Sequence, residues 1–271
     1  MGKNDVAFGG SVPQIYDECL GPFLFEPYAL DLIGRIPSKK IDSVLEIACG
    51  TGRVTKHLRN YFPSKVKITA LDLNADMIAI AQRRVAGKVE WKVADAQSLP
   101  FESEEFELVV CQFGLMFMPD KIKALQEAYR VLKPGGCFLL NTWDKIENNM
   151  APYLAQKIIN SFFDNDAPTF YSVPFSMHDM QELGLMLEKS KFKNSEIIMV
   201  AKEGISESAN NVAKGYIEGN PIIISFNEKN PKLAPAIISR LTEEFELTLG
   251  NHPMKSNLQA WVAKTWKLIA P

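Results

Sequence analysis

Gly50 and Gly52 close the run Val44-Leu45-Glu46-Ile47-Ala48-Cys49-Gly50-Thr51-Gly52, and Asp72 follows about twenty residues later. Glycines at that spacing let a chain turn sharply out of a strand and leave backbone N–H groups uncovered. Such groups at the start of a helix attract anionic or strongly polar ligand atoms. An acid at the tip of the next strand is placed to accept from ribose hydroxyls. The combination describes a site for an adenosine-containing cofactor.

The choice among such cofactors turns on a third position. Dinucleotide sites use G-x-G-x-x-G/A, where the last small residue brings the helix close beneath a pyrophosphate. Here that position is Thr55, which counts against a nicotinamide-dependent dehydrogenase. A ligand with no pyrophosphate has less need of the approach. S-adenosylmethionine is one, since turn backbone can meet its carboxylate and amine while Asp72 meets its ribose. Glu46 has two readings, a hydrogen bond near the cofactor amine or a brace for the turn.

These residues need elements to hold them. Val44, Leu45 and Ile47 mark a short buried strand over 44–48, and a helix opens near Arg53 with Val54, Leu58 and Tyr61 on one side. Strand 67–72 leads to a helix capped by Asn74, with Met77, Ile78, Ala81 and Val85 inward. Strands 89–93 and 107–112 follow. A helix over about 120–132 carries Ile122, Leu125, Tyr129 and Leu132, until Lys133-Pro134-Gly135-Gly136 stops it and strand 137–143 begins. Five strands joined by crossovers imply a parallel sheet covered on both faces.

The flanks are less regular. Residues 1–14 form a loose arm, Ile15–Leu24 is interrupted by Gly21-Pro22, and a helix starts at Pro27. Downstream come a helix around Tyr153, Leu154, Ile158 and Phe162, then a Pro- and aromatic-rich loop through Tyr171 and Phe175. A helix over 177–190, a strand over 195–202 and a helical piece over 204–250 follow. A buried strand over 258–268 pairs antiparallel with 195–202. The expected fold is α/β and doubly wound: a mostly parallel, seven-stranded, Rossmann-like sheet with its last strand antiparallel and a small helical insertion or lid. In domain terms, 1–36 is an arm and helix covering the cofactor site, and 37–203 is the core, with 146–176 as a partial lid. Residues 204–250 are the helical insertion, and 251–271 the final strand.

Bulk properties narrow the class. The 271 residues carry 30 Lys plus Arg against 32 Asp plus Glu, for a net charge of -2. That balance offers no basic surplus for holding nucleic acid. The polar start lacks a signal core, and no segment is apolar for long enough to span a bilayer, so cytoplasmic residence without membrane insertion is expected. Cys19, Cys49, Cys111 and Cys137 are scattered among apolar neighbours and read as small buried side chains, with neither a metal site nor a disulfide framework.

VLEIACGTG at 44–52, LDLN at 71–74, VADAQSLPF at 93–101 and LKPGG at 132–136 together resemble the class I S-adenosylmethionine-dependent methyltransferases. The nearest branch is the type 11 methyltransferase domain, which includes the ubiquinone and menaquinone biosynthesis C-methyltransferases. The resemblance is strong over roughly residues 40–145, where four motifs occur in order, each at a strand end. It implies that backbone around Ala48, Cys49, Gly50 and Gly52 cradles the methionine end. Asp72 accepts both ribose hydroxyls, with Leu73 and Met77 near the adenine. Asp95 accepts from the adenine amino group, and the Ala96 N–H donates to a ring nitrogen. Gln112 and Phe113 lie beside the sulfonium, and Tyr16 closes over the methionine moiety.

The same resemblance bounds the acceptor. Base-amine enzymes carry an Asn/Asp-Pro-Pro-Tyr motif where this chain reads CQFG, the paired glutamates of arginine methyltransferases are missing, and Asn141 and Asp144 lack the further Asp of metal-dependent catechol enzymes. A small, partly apolar acceptor fits, with Met116, Phe117 and Tyr171 as pocket candidates, no metal, and S-adenosylhomocysteine as product. Methyl transfer from a sulfonium needs alignment more than proton movement. His178, His252 and Tyr171 are the candidates if a base is required, and none is singled out. The chain is expected to be a monomer or homodimer. A non-catalytic S-adenosylmethionine-binding sensor or accessory protein is the alternative.

Overall fold

Val44 and Leu45 are fully buried, and every residue of their strand, β1 (Ser43–Ile47), lies in the interior. A strand hidden on both faces needs a layer on each side. In the sheet β1 is flanked by β2 (Lys67–Asp72) and β4 (Phe106–Gln112), both parallel to it, with Leu45 beside Thr69 and Val109. β3 (Glu90–Val93) continues beyond β2, and β5 (Leu132–Trp143) beyond β4, again parallel. The order is β3-β2-β1-β4-β5-β7-β6, a seven-stranded sheet. β7 (Met254–Trp266) runs antiparallel to β5, with Cys137 opposite Trp266 and Trp143 opposite Ala260, and β6 (Lys193–Ser206) takes the edge. The computed structural model describes residues 9–164 and 166–269. Positions 1–8 of the expected N-terminal arm and the last two residues of the chain lie outside them.

Ten α-helices are described: α1 (Val12–Ile15), α2 (Glu26–Gly34), α3 (Arg53–Tyr61), α4 (Ala75–Arg84), α5 (Lys121–Val131), α6 (Met150–Asn160), α7 (Met180–Lys189), α8 (Ala209–Glu218), α9 (Ile222–Lys229) and α10 (Leu233–Leu249). Among the described residues no helix is long and apolar enough to cross a membrane. Contacts divide the chain into two units. One comprises residues 28–143, 177–200 and 260–269, and the other 9–27, 144–176 and 201–259 apart from residue 165. The first contains β1 to β5 and the helices that connect them. In the second, α8 packs on α10 and on the segment Tyr16–Phe25, and α10 packs on α6. Ile237, Leu241 and Phe245 of α10 are fully buried, as their helical spacing implies.

Local chemistry explains the boundaries. Asn74 caps α4 by accepting from the Asp76 and Met77 N–H groups, and Asp120 caps α5 by accepting from Lys123 N–H. Gly21-Pro22 does not break the chain as expected. Tyr16–Phe25 is a π-helix, and the Glu26 N–H donates five residues back to the Gly21 carbonyl, so a wider winding absorbs the proline's missing donor. Tyr61, expected inward, is exposed and meets Phe62 edge-on at 4.9 Å. Lys133-Pro134-Gly135-Gly136 lies within β5 rather than before it. The pairing passes from Phe106 beside Leu132 to Leu108 beside Cys137, so the extra residues bulge out of the ladder. β7 starts at Met254, four residues earlier than expected, because Met254, Ser256 and Leu258 already alternate inward.

Candidate functional site

The chain leaves β1 for β2 and β3 on one side of the sheet and for β4 and β5 on the other. In open parallel sheets the crevice at such a switch point, outside the carboxyl ends of the strands, receives ligands. The glycine turn sits there. Ala48, Gly50 and Gly52 all have left-handed backbone, with φ of 55°, 52° and 79°. The Cys49 N–H donates to the Leu71 carbonyl at 2.9 Å, and Gly52 N–H donates to the Cys49 carbonyl at 2.9 Å. A methyl group on Gly50 would meet nothing within 4 Å, whereas one on Gly52 would stand 2.8 Å from Ala81 Cβ. Gly50 thus leaves an open cradle, and Gly52 lets α3 begin against α4. Arg84 Nε donates to the Thr51 carbonyl at 2.9 Å and ties the turn to the end of α4.

Asp72 is pinned to this turn. Its Oδ2 accepts from Gly50 N–H at 2.9 Å and its Oδ1 from Asn74 N–H at 2.9 Å. Each oxygen keeps acceptor capacity for a further donor, as ribose recognition requires. Burial pushes the carboxyl's pKa up, and the N–H groups of Asn74, Gly50 and Leu73 pull it back. Glu46 lies deeper, 1% exposed, and burial lifts its pKa to about 8. The Thr55 hydroxyl donates to Glu46 Oε2 at 2.5 Å and opposes that rise, while the charge of Asp72 adds to it. Glu46 therefore braces the turn.

The neighbouring tips join in. Ala94 N–H donates to the Asp72 carbonyl at 3.0 Å, which sets Asp95 and Ala96 beside β2. Asp95 is exposed, and its Oδ1 accepts from Gln97 N–H at 2.8 Å, so it also shapes its own turn. Ala96 and Met77 are buried, and Leu73 stands 62% exposed at the rim. Gln112 ends β4. Phe113 follows with φ of 49°, its ring stacked on Trp143 at 3.8 Å and 6°. Tyr28 meets both rings edge-on at 5.2 and 5.4 Å, and its hydroxyl donates to the Val200 carbonyl at 3.0 Å. A methyl group on Gly114 would fall 2.5 Å from Ala48 Cβ, so the β4 tip presses on the glycine turn. Met116 is buried and Phe117 half-buried just beyond.

Tyr16 and Tyr171 belong to the helical unit. Tyr16 stacks on Phe25 at 4.9 Å. Tyr171 is buried and donates its hydroxyl to the Tyr216 carbonyl at 3.0 Å, and burial raises its pKa, so it holds its proton at neutral pH. His178 and His252 are exposed. All four cysteines are free thiols. Burial raises Cys19, lifts Cys49 well above its ordinary value, and lifts Cys111 and Cys137 to about 12. Among the described residues no group of three or more His, Cys, Asp or Glu gathers in metal-binding fashion.

Three contributions lie outside the motif pattern: the Thr55 hydroxyl on Glu46, the Asn141 amide at Phe113 N–H and the Tyr28–Phe113–Trp143 cluster. For Asn141 a signal existed: a lone amide inside Cys137-Phe138-Leu139-Leu140-Asn141, an otherwise apolar strand, must find hydrogen bonds.

A family model described as "Methyltransferase domain" matches residues 44–136, the stretch that carries these strand tips. The ubiquinone/menaquinone biosynthesis C-methyltransferase UbiE of Escherichia coli O1:K1 / APEC is 31% identical over 186 residues, 63% of this chain and 73% of that protein. A crystal structure from Bacillus halodurans C-125, described as a candidate methyltransferase, superposes with a TM-score of 0.59 at 22% identity, covering 89% of this chain and 99% of that one. Phosphoethanolamine N-methyltransferase 2 of Haemonchus contortus, in complex with S-adenosyl-L-methionine, gives a TM-score of 0.60 at 18% identity, covering 98% of this chain and 59% of that one. The two structures establish likeness of fold.

Proposed function

The chain belongs to the class I S-adenosylmethionine-dependent methyltransferases, and from that premise we propose that it methylates a small, partly apolar acceptor, with S-adenosylhomocysteine as the second product. The observation that carries this reading is the Asp72 carboxylate, fixed by Gly50 N–H and Asn74 N–H at the mouth of an open glycine cradle.

The methyl donor, S-adenosyl-L-methionine, supplies an electrophilic methyl group on a sulfonium, so the reaction is an in-line displacement. In this reading the backbone of Ala48, Cys49, Gly50 and Gly52 binds the amino-acid end. Asp72 orients the ribose, Leu73 and Met77 flank the adenine, and Asp95 with Ala96 N–H reads its edge. Gln112 and Phe113 border the reacting centre, and Met116 and Phe117 face the acceptor. The buried Phe113–Trp143 stack makes the end of β4 apolar, which supports an acceptor that is itself partly apolar.

Isothermal titration with S-adenosylhomocysteine tests the donor site. One site per chain is expected, and Asp72→Ala should weaken it by about tenfold or more, the loss of a charge-assisted hydrogen-bond acceptor. Failure of the intact protein to bind overturns the reading. Methyl-labelled donor mixed with a metabolite extract then tests turnover. Label entering a small molecule supports the enzyme, and binding without any labelled product favours the non-catalytic sensor.

A further inference from the structure

Asn141 has no exposed surface and sits on β5 beside Gln112 of β4 and Val262 of β7. Its Oδ1 accepts from Phe113 N–H at 2.9 Å, and the same N–H reaches the Asn141 carbonyl at 3.3 Å. That double contact holds Phe113 in its left-handed backbone and its ring on Trp143. The residue after Phe113 is Gly114, which abuts Ala48 of the glycine turn. With Oδ1 committed to Phe113, the other end of the amide is fixed, and Asn141 Nδ2 is buried with no hydrogen-bond partner. An unpaired buried donor destabilises a fold, and a leucine at this position would avoid it. An atom that arrives with a ligand at the strand tips would complete such a donor.

We propose that Asn141 is a positioning and binding residue for the methyl donor: its Oδ1 sets the β4 tip, and its Nδ2 donates to the carboxylate of the donor's amino-acid end. The inference rests on the donor site being the Gly50–Asp72 turn. The carboxylate is the donor's charged acceptor, and the β4 tip touches the turn at Ala48, where the amino-acid end is read. Asn141 then links three strands to one ligand group. β5 carries the amide, β4 is held by its oxygen, and the β1 turn shares the ligand that its nitrogen meets.

Two probes separate this role from a purely structural one. S-adenosylhomocysteine carries the amino-acid end, and 5′-methylthioadenosine has the same adenosine and thioether without it. Asn141→Asp keeps an oxygen for Phe113 N–H and replaces the donor with an acceptor. Asn141→Leu removes both functions. Titration calorimetry should show both variants weakened by about tenfold or more toward S-adenosylhomocysteine, and by about twofold or less toward methylthioadenosine. In the wild type, the side-chain amide resonances of Asn141 should shift on adding S-adenosylhomocysteine and stay in place with methylthioadenosine. Equal losses for both probes would mean that Asn141 only holds the turn, and unchanged affinities would mean that a buried water completes the amide. Either result overturns the inference and leaves the donor site standing. A wild type that binds neither probe overturns both.

Discussion

Thr55 Oγ1 donates to Glu46 Oε2 at 2.5 Å, which joins the first turn of α3 to the buried end of β1. The position that a dinucleotide site gives to a third glycine is here filled by a side chain with a definite task. Glu46 is a carboxyl in the interior of a parallel sheet, and burial there demands a hydrogen-bond partner. A glycine at 55 would leave it without this one. The departure from the dinucleotide pattern is therefore a structural coupling between strand and helix across the glycine turn.

Thr55→Val keeps the branched shape and removes the hydroxyl, so its cost isolates that coupling. Urea denaturation should show a loss of about 1–3 kcal/mol, the range for a buried polar group that loses its partner. Thr55→Ser should recover most of it. A valine variant as stable as the wild type would remove the argument that Thr55 supports Glu46.

Glu46 should also give the protein a pH dependence of stability. Its folded-state pKa is raised to about 8 from an ordinary 4.5, chiefly by burial. Between those values the folded state holds a proton that the unfolded state has released. The stabilisation is therefore complete below the unfolded pKa and is lost as pH rises through the folded one. The raised pKa of Asp72 acts in the same direction. The free energy of unfolding should fall from pH 5 towards pH 8, with a slope from Glu46 of at most about 1.4 kcal/mol per pH unit. Glu46→Gln, which still accepts from Thr55, should flatten that slope in denaturation series at several pH values.

The two glycines of the turn should respond differently to alanine. Both have positive φ, so each substitution carries a backbone cost of about 1–2 kcal/mol. At Gly50 nothing else lies within 4 Å, and the effect should stop near that cost while S-adenosylhomocysteine affinity falls. At Gly52 the new methyl would meet Ala81 Cβ at 2.8 Å and Ala81 Cα at 3.0 Å. Overpacking between α3 and α4 should bring the total to about 3 kcal/mol or more. Equal destabilisation of the two variants would contradict this assignment of a ligand role to one glycine and a packing role to the other.

What the sequence revealed and what it hid follow one physical line. Local signals were legible: Asn74 before its helix, the apolar run of β1, and the glycine spacing each reflect interactions within a few residues. The sheet with its reversed last strand followed from counting strands and crossovers. The insertion of β7 between β5 and β6 was hidden, because it depends on pairing between segments far apart in the chain, Cys137 with Trp266 and Trp143 with Ala260. The winding at Gly21-Pro22 was hidden because proline's local preference for ending a helix was outweighed by packing of Leu20 and Phe23, both fully buried. Within the site, the placement of the glycine turn beside Asp72 followed from motif order. Residues that position those groups from other strands, Asn141 above all, have partners 28 positions away and leave only the trace of a polar residue in an apolar strand.

The contact between the β4 tip and the glycine turn yields a test of whether the two move as one. Gly114 has ordinary backbone, so Gly114→Ala introduces no conformational strain, and its effect comes from overlap with Ala48 Cβ at 2.5 Å and Cys111 Sγ at 3.0 Å. Relief requires Ala48 to shift, and Ala48 already sits at φ of 55°, a conformation that glycine adopts without cost. Ala48→Gly should therefore be tolerated alone and should rescue Gly114→Ala, leaving only the milder crowding at Cys111. In a double-mutant cycle read by urea denaturation, the coupling should be about 1–2 kcal/mol in favour of the double variant. Titration with S-adenosylhomocysteine should follow the same cycle, weak for Gly114→Ala and restored by Ala48→Gly, if the proposed donor site includes the backbone at Ala48. Additive effects in both measurements would show that the two tips respond independently and that the β4 tip does not set the shape of the turn.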